Sequence, residues 1–172
     1  VMLINAESEA ELVRIDELAR AAGCVAPVGL RINPELNLAT HDYIKTGERG
    51  NKFGIPHEEA VAVARVALRL KNVALVGLDM HLGSQLSRVE PYHAGASRMV
   101  ALYAEIRALG ARAIRYLDIG GGLGVRYESE DPLDLDKFAE VVLPLVARTG
   151  LTLLMEPGRY LVGNAGALVA TV

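Results

Sequence analysis

The apolar positions of this chain fall into two alternating patterns. Short apolar runs, typical of buried strands, cover residues 2–5, 27–33, 73–81, 114–118 and 151–156, and a sixth strand-like run closes the chain at 167–172. Apolar residues at helical spacing fill the segments between them, over 9–22, 56–70, 91–110 and 133–149. Strands that alternate with helices predict a parallel sheet with helices packed on its outside.

Residues at the predicted helix ends support this assignment. Ser8 is a predicted N-cap, and Glu11 stands three residues later, as in a capping box. Asp134 or Asp136 is predicted to cap the last long helix. The polar segment 34–52 has no periodicity, and a loop of that length in a compact domain is more often functional than idle.

Polar and charged residues collect where the predicted strands end. They are Arg31, Asn33, Asp79, His81, Asp118 and Glu156. Burying such groups is unfavourable unless they are paired or used. A (β/α) barrel gathers them at the carboxyl ends of its strands, whereas a doubly wound sheet binds ligands at one switch point. We therefore predict a barrel, and because a complete one takes about 250 residues, we expect this chain to form part of one.

The composition narrows the classes of partner. Of the 172 residues, 51% are hydrophobic and 23% are charged, as in a globular domain, and the net charge is -3 without any basic block. This balance argues against nucleic acid or a membrane as a partner, and no apolar run reaches the length of about 20 residues that spans a bilayer. The single cysteine, Cys24, cannot form an internal disulfide and fits the cytoplasm, which is the expected compartment.

Three consecutive glycines, Gly120, Gly121 and Gly122, follow the strand that ends at Asp118. Packing alone gives no reason for three glycines here, whereas a backbone without side chains can turn sharply and present its N–H groups to an anion. One interpretation is a phosphate cradle at the carboxyl end of a buried strand. The other, with equal weight, is a tight turn that binds nothing.

Two further motifs follow predicted strands. His81 begins the sequence His-Leu-Gly-Ser-Gln, in which Ser84 adds a hydroxyl, and Glu156 begins Glu-Pro-Gly-Arg, which ends at Arg159. A histidine ring can stack on a planar cofactor or transfer protons, and an arginine binds phosphate or carboxylate through two parallel hydrogen bonds. The structural alternatives are a hydrogen-bonded core histidine and an ion pair of Glu156 with Arg159 or Arg31. Together, the three motifs meet the needs of pyridoxal phosphate, whose ring nitrogen must stay protonated.

The same motifs carry a resemblance to a known family. The chain closely resembles the alanine-racemase-fold (type III) pyridoxal-phosphate-dependent decarboxylases, and among them the diaminopimelate branch rather than the ornithine branch. The matching segments occur in family order over nearly the whole chain: Leu-Arg-Ile-Asn-Pro at 30–34, Thr-His-Asp-Tyr-Ile-Lys-Thr-Gly at 40–47 with Lys-Phe-Gly-Ile at 52–55, His-Leu-Gly-Ser-Gln at 81–85, Asp-Ile-Gly-Gly-Gly at 118–122, and Glu-Pro-Gly-Arg at 156–159.

This resemblance implies a role for each motif residue. His81 is expected to stack on the cofactor ring and Glu156 to face its pyridine nitrogen, and these two are the expected catalytic residues. The phosphate is expected on Ser84, Gly121, Gly122, Gly158 and Arg159, with Arg159 as an alternative ligand of a substrate carboxylate. Three residues complete the expected cofactor-binding set: Arg31 as a support of the pocket, Asp118 as an orienting group, and Gly120. No metal ligands are implied.

Two parts of the family pattern do not occur in this sequence. The family attaches its cofactor through a lysine in a Tyr-Ala-x-Lys motif, which would precede Val1, and completes the site with a later β-domain, which would follow Val172. We therefore expect residues 1–172 to form a partial pyridoxal-phosphate-binding α/β barrel domain of the alanine-racemase type, without the first strands and the β-domain. By itself, this chain is expected to be inactive in decarboxylation.

For the complete enzyme, the resemblance implies a homodimer that removes CO2 from meso-2,6-diaminopimelate to give L-lysine, the last step of lysine biosynthesis. Its expected partner is a small amino-acid substrate. Two alternatives stay open. One is a related decarboxylase of another basic amino acid, of the ornithine or arginine type. The other is a non-catalytic fragment that binds pyridoxal phosphate without turnover.

Overall fold

The computed structural model describes residues 1–36, 53–167 and 169–171, in which strands and helices alternate. The strands are β1 (Ile4–Ala6), β2 (Ala26–Asn33), β3 (Ile55–Pro56), β4 (Val73–Met80), β5 (Tyr116–Asp118) and β6 (Thr152–Leu154). The helices are α1 (Glu9–Ala21), α2 (Ala60–Ala67), α3 (Glu90–Ala108), α4 (Leu135–Ala147) and α5 (Gly158–Val162), and a 3-10 turn, His57–Glu59, precedes α2.

The strands form one parallel sheet, which confirms the predicted α/β class. Its order is β1-β2-β4-β5-β6, and β3 also pairs with β2. Apart from β3, the described strands follow one another in chain order without a reversal, as they do around a (β/α) barrel, and not as they do at the switch point of a doubly wound sheet. The described strands thus make part of a barrel wall.

Alternation along the strands gives the sheet two unlike faces. One row across the sheet is apolar, in register, and packs in one core with helix residues: Ala6, Leu30, Leu78, Leu117 and Leu153. The next row, one residue further along each strand, places Arg31, Asp79 and Asp118 side by side on the other face. The register therefore brings charged groups of three strands together, at an interstrand spacing of about 4.8 Å.

Side-chain caps begin two helices where they were predicted. The Ser8 hydroxyl accepts the N–H of Glu11 at 3.1 Å, and the Glu11 carboxylate accepts the N–H of Glu7 at 2.7 Å, one residue before the cap. At α4, the first of the two candidates is the cap, because Asp134 Oδ1 accepts the N–H of Lys137 at 3.0 Å. Each such cap contributes about 1 kcal/mol to helix stability.

Two predicted features differ from the structure at the ends of elements. The predicted strand at 167–172 is wrong for its described residues, 167 and 169–171, which form no strand. Conversely, the two-residue β3 and the short α5 were not predicted. An apolar run becomes a strand only when a neighbour supplies its hydrogen bonds, and β3 exists because Ile55 pairs with Ile32 of β2.

Part of the predicted functional loop at 34–52 cannot be compared with the structure. Residues 37–52, which include the motif at 40–47 and Lys52, lie outside the described residues. Among the helices that are described, none is both long enough and apolar enough to cross a membrane.

Candidate functional site

Three sequence motifs meet along the carboxyl edge of the sheet. His81 follows β4, the glycine run follows β5, and Glu156 follows β6. The N–H of Gly121 donates to Nδ1 of His81 at 3.3 Å, and the N–H of Glu156 donates to the carbonyl of Gly120 at 2.9 Å. The bonded residues lie 40 and 36 positions apart in the sequence, so the structure joins the three motifs into one cluster.

The glycine run is packed against the backbone of both neighbouring motifs. A Cβ on Gly121 would overlap the carbonyl oxygen of Glu156, and a Cβ on Gly122 would overlap the carbonyl oxygen of Gly83. Gly120 and Gly122 also adopt φ of +69° and +81°, which favours glycine. The expectation that packing gives no reason for three glycines is therefore wrong, because the close approach of three loops requires them.

Two of the three glycine N–H groups are already bonded within the site. The N–H of Gly120 donates to Oδ1 of Asp118 at 2.9 Å, and that of Gly121 donates to His81. Within the described part of the chain, the N–H of Gly122 makes no hydrogen bond. Gly122 is thus the member of the run whose N–H can donate to an anion.

Two residues without a predicted role hold the loop 120–125, which begins with the glycine run. The Gln85 side-chain amide bonds both backbone groups of Val125, donating to its carbonyl at 2.6 Å and accepting its N–H at 3.1 Å. The buried Tyr92 hydroxyl donates to the carbonyl of Gly121 at 2.9 Å, and its ring meets Phe138 edge-on, with centroids 5.0 Å apart. Gln85 belongs to the His-Leu-Gly-Ser-Gln motif of the sequence analysis. No sequence pattern indicated that Tyr92, which lies on α3, bonds to the glycine run.

The surroundings of His81 favour its neutral form. Burial lowers its pKa, and the Arg31 guanidinium lowers it further, while Glu156 acts in the opposite direction. Its Nδ1 accepts a hydrogen bond, so the proton of the neutral imidazole is on Nε2. The ring is half-buried at the edge of the sheet and hydrogen-bonded to the glycine run.

Arg31 stands between two carboxylates on the charged row. Its Nη1 lies 2.5 Å from Oε1 of Glu7, and its Nε lies 3.9 Å from Oδ2 of Asp79. The guanidinium carbon is 5.8 Å from the ring centroid of Phe53, and Glu7 also accepts the N–H of Gly54 at 3.1 Å. Arg31 is thus fixed mainly by Glu7, which the sequence analysis did not single out.

Two aspartates of this row are buried next to each other. Burial, followed by the nearby charges of Asp118 and Glu156, raises the pKa of Asp79 to about 8. Burial also raises the pKa of Asp118, while the hydrogen bond from the N–H of Gly120 counteracts this effect. In the sequence, Asp79 stands out because it is the one carboxylate in the apolar run 73–81.

The remaining predicted site residues are open to solvent. Glu156, Ser84 and Arg159 are all exposed, and a Cβ added to Gly158 would meet nothing within 4 Å. Among the described residues, Glu156 forms no ion pair, so its predicted structural alternative with Arg31 or Arg159 is not formed. The Arg159 guanidinium instead lies 6.0 Å from the ring centroid of Tyr127.

Comparison with known proteins identifies the family. The profile of the family described as "Pyridoxal-dependent decarboxylase, pyridoxal binding domain" matches residues 1–163. The chain belongs to this family. The predicted resemblance is confirmed, and pyridoxal phosphate, the cofactor expected from the sequence, is the one that this family binds.

Similar proteins cover the whole chain but are longer than it. The diaminopimelate decarboxylase of Vibrio cholerae is 43% identical over all of this chain and 41% of its own length. A crystal structure of diaminopimelate decarboxylase from Helicobacter pylori complexed with L-lysine has a TM-score of 0.84 at 35% identity, over 92% of this chain and 40% of that one. Lysine decarboxylase from Selenomonas ruminantium has a TM-score of 0.77 at 29% identity, over 96% of this chain and 41% of that one. The chain spans about two fifths of the length of these relatives.

Proposed function

We propose that this chain forms the cofactor-binding part of a diaminopimelate decarboxylase, which removes CO2 from meso-2,6-diaminopimelate and leaves L-lysine. The observation that carries the proposal is the direct hydrogen bonding of the His81, glycine-run and Glu156 motifs at one edge of the sheet. The identity of 43% to the Vibrio cholerae enzyme over the full chain supports the choice of substrate. Residues 1–172 are proposed as one partial barrel domain.

The groups present at this edge fit pyridoxal phosphate. The free N–H of Gly122, the hydroxyl of Ser84 and the guanidinium of Arg159 can donate to a phosphate. Glu156 is an exposed carboxylate without an ion-pair partner among the described residues, as a protonated ring nitrogen requires. His81 adds a flat, neutral ring.

Bound at this edge, pyridoxal phosphate supplies a pyridinium ring that accepts the electron pair left when a carboxylate departs as CO2. We assign Glu156 to the ring nitrogen, where a negative charge holds the proton. We assign His81 to the ring face, where a neutral imidazole can stack without repelling a positive ring. Burial and Arg31 both keep the imidazole in this state by lowering its pKa.

The other predicted residues have supporting assignments. Gly120, Gly121 and Gly158 are proposed as cofactor contacts through their backbone, because no side chain separates them from a ligand. Asp118 holds the first turn of the glycine run through its bond to the N–H of Gly120. Arg159 is the proposed phosphate ligand, and a substrate carboxylate is its alternative partner.

We also propose that the natural protein works as a homodimer in the cytoplasm on a small amino acid. The net charge of -3 without a basic block, and the single cysteine, support this environment. Sedimentation of the purified natural protein with and without pyridoxal phosphate tests the dimer, and a single monomeric species under both conditions would contradict it.

The decisive experiment uses the natural gene product that contains this sequence, at its full length. Pyridoxal phosphate is titrated by absorbance and fluorescence, and CO2 release is then measured from meso-diaminopimelate, ornithine, arginine and lysine. We expect release from meso-diaminopimelate, and Glu156→Gln should lower kcat about 100-fold. Glu140→Gln, at an exposed position of α4, is the matched control.

A second candidate function follows from the similarity to lysine decarboxylase from Selenomonas ruminantium. In this case, CO2 would come from lysine or another basic amino acid, and meso-diaminopimelate would give none. Cofactor binding without CO2 from any of the four amino acids would instead indicate a binding protein without turnover.

A further inference from the structure

Asp79 is a buried carboxyl group to which the proposed function gives no role. It is 2% exposed and stands in register between Arg31 of β2 and Asp118 of β5. Its Oδ2 lies 3.9 Å from Nε of Arg31, which is too far for a hydrogen bond. Its buried Oδ1 has no hydrogen-bond partner in the part of the chain that the structure describes. A buried polar atom without a partner calls for an explanation.

The surroundings of Asp79 hold more acids than bases. The charged groups that act on it come from the ends of four other strands: Glu7 after β1, Arg31 on β2, Asp118 on β5 and Glu156 after β6. The titratable group nearest to it in sequence is His81, two residues further along the chain and directly after β4. The single guanidinium among them is bound to Glu7. The helices pack with the apolar row, which includes Leu78. Among the described residues, Arg31 alone compensates a negative charge on Asp79, and it does so at a distance of 3.9 Å while it is bound to Glu7.

We propose that Asp79 is a further positioning residue of the cofactor site and that it works as a neutral carboxylic acid. A ligand that covers the charged row then binds only while Asp79 is protonated. The inference rests on the proposed function, because it takes the ligand to be pyridoxal phosphate. An ionised Asp79 would draw Arg31 away from Glu7 and would repel Asp118. It would also add a negative charge to a site that has to accept a phosphate.

The protonation of Asp79 then becomes linked to ligand binding. Burial and the charges of Asp118 and Glu156 raise the pKa of Asp79 to about 8, so it gives up its proton just above neutral pH. A ligand that removes further water from the row binds the neutral form more tightly. Its affinity should therefore fall as the pH rises past this value, by up to about tenfold per pH unit.

The test compares Asp79 with an isosteric side chain that cannot ionise. Pyridoxal phosphate is titrated by fluorescence into the natural full-length protein and into its Asp79→Asn variant, at about pH 6.5 and about pH 9. The ratio of the two dissociation constants cancels the titration of the cofactor itself. We expect the ratio to move about tenfold in favour of the variant between the two pH values. An unchanged ratio would overturn the proposal.

A matched control makes the same Asp-to-Asn change at the surface. Asp136→Asn removes a carboxylate of α4 that is open to solvent and lies outside the charged row. The ratio of its dissociation constant for pyridoxal phosphate to that of the wild type should not depend on pH. A shift as large as that of Asp79→Asn would mean that any lost carboxylate produces the effect, and the proposal would be wrong.

An infrared pH titration without ligand separates this proposal from the proposed function. The wild type should show the carbonyl band of a protonated carboxyl group at neutral pH, and Asp79→Asn should lack it. If neither protein binds pyridoxal phosphate, the proposed function fails, and the band alone decides the state of Asp79.

Should Asp79→Asn fail to fold, Asp118→Asn gives the answer. Removing this like charge must move the midpoint of the band to lower pH, and an unmoved midpoint would contradict the proposal.

Discussion

Two neighbouring rows of the sheet differ in the chemistry of their side chains. The apolar row carries Leu30, Leu78 and Leu117, and the charged row, one residue further along the same strands, carries Arg31, Asp79 and Asp118. Asp79 at 2% and Asp118 at 5% exposure are almost as buried as the leucines. Burial therefore does not separate these two aspartates from the leucines of the apolar row, whereas the chemistry of the buried group does.

The two rows stabilise the fold by different physics. Each buried leucine contributes about 1.5–3 kcal/mol through non-directional burial of apolar area. In the charged row, the effect of each group depends on the exact partner, as Arg31 and Glu7 show. The loops above this row add a third element, because the glycine run fits only without side chains. Substitutions in each of these places should therefore differ in size and in their response to pH.

The largest effect is expected in the loop that covers the charged row. Gly121→Val inserts a side chain into the carbonyl of Glu156. We expect loss of pyridoxal phosphate binding and a decrease in the free energy of unfolding of more than about 4 kcal/mol. Urea unfolding and cofactor titration measure both. Gly166→Ala is the control, because its Cβ would meet only the carbonyl oxygen of Val162, at 3.7 Å. Unfolding of Gly121→Val at wild-type urea concentrations would contradict the packing argument.

The apolar row should respond to truncation alone. Leu78→Ala removes a fully buried side chain and should lower the free energy of unfolding by about 2–5 kcal/mol, with no dependence on pH. Leu68 is 39% exposed at the end of α2, so Leu68→Ala should lower it by about 1 kcal/mol or less. Equal losses in the two variants would mean that the row is not part of the core.

The charged row should respond to pH. The folded pKa of Asp79, about 8, lies above its unfolded value, so the folded state binds more protons between about pH 4 and pH 8. The stability that this group contributes is complete below its unfolded pKa and is lost as the pH rises through its folded pKa, by up to about 1.4 kcal/mol per pH unit. Asp79→Asn should remove this decline in urea unfolding measured across that range. Parallel pH curves for the two proteins would refute the prediction.

The smallest effect is expected from a single hydrogen bond below the loop. Tyr92→Phe keeps the ring contact with Phe138 but leaves the carbonyl of Gly121 without its donor. The free energy of unfolding should fall by about 1–3 kcal/mol. Tyr160→Phe removes an exposed hydroxyl and is the control for stability. A Tyr92→Phe protein as stable as the control would show that water replaces the missing donor.

Sequence periodicity predicted most of the fold, because an element that buries one face carries apolar residues at regular intervals. The predicted strands at 27–33 and 73–81 agree closely with β2 and β4, whose apolar residues alternate with the charged row. The prediction failed at residues 167 and 169–171 and missed β3, because pairing with a neighbouring strand decides whether such short runs become strands. No periodic pattern within a segment contains that information.

The sequence predicted which residues make up the candidate site, but not the hydrogen bonds that hold them together. His81, Glu156 and the glycine run were visible as chemistry at strand ends. The roles of Gln85 and Tyr92 were not, because each acts on backbone groups 40 or 29 positions away. The same holds for Glu7, which sets the position of Arg31 from a neighbouring strand.

The sequence by itself determined the alternation of strands and helices, the placement of acids and glycines at strand ends, and membership of the pyridoxal-dependent decarboxylase family. Only the tertiary structure decided which glycine N–H stays free and which buried carboxyl oxygen has no hydrogen-bond partner among the described residues. Gly122 and Asp79 differ from their neighbours through the register between strands and the packing of loops. Hydrogen bonds and pKa values depend on distances in space, and these arise only when distant segments are packed together.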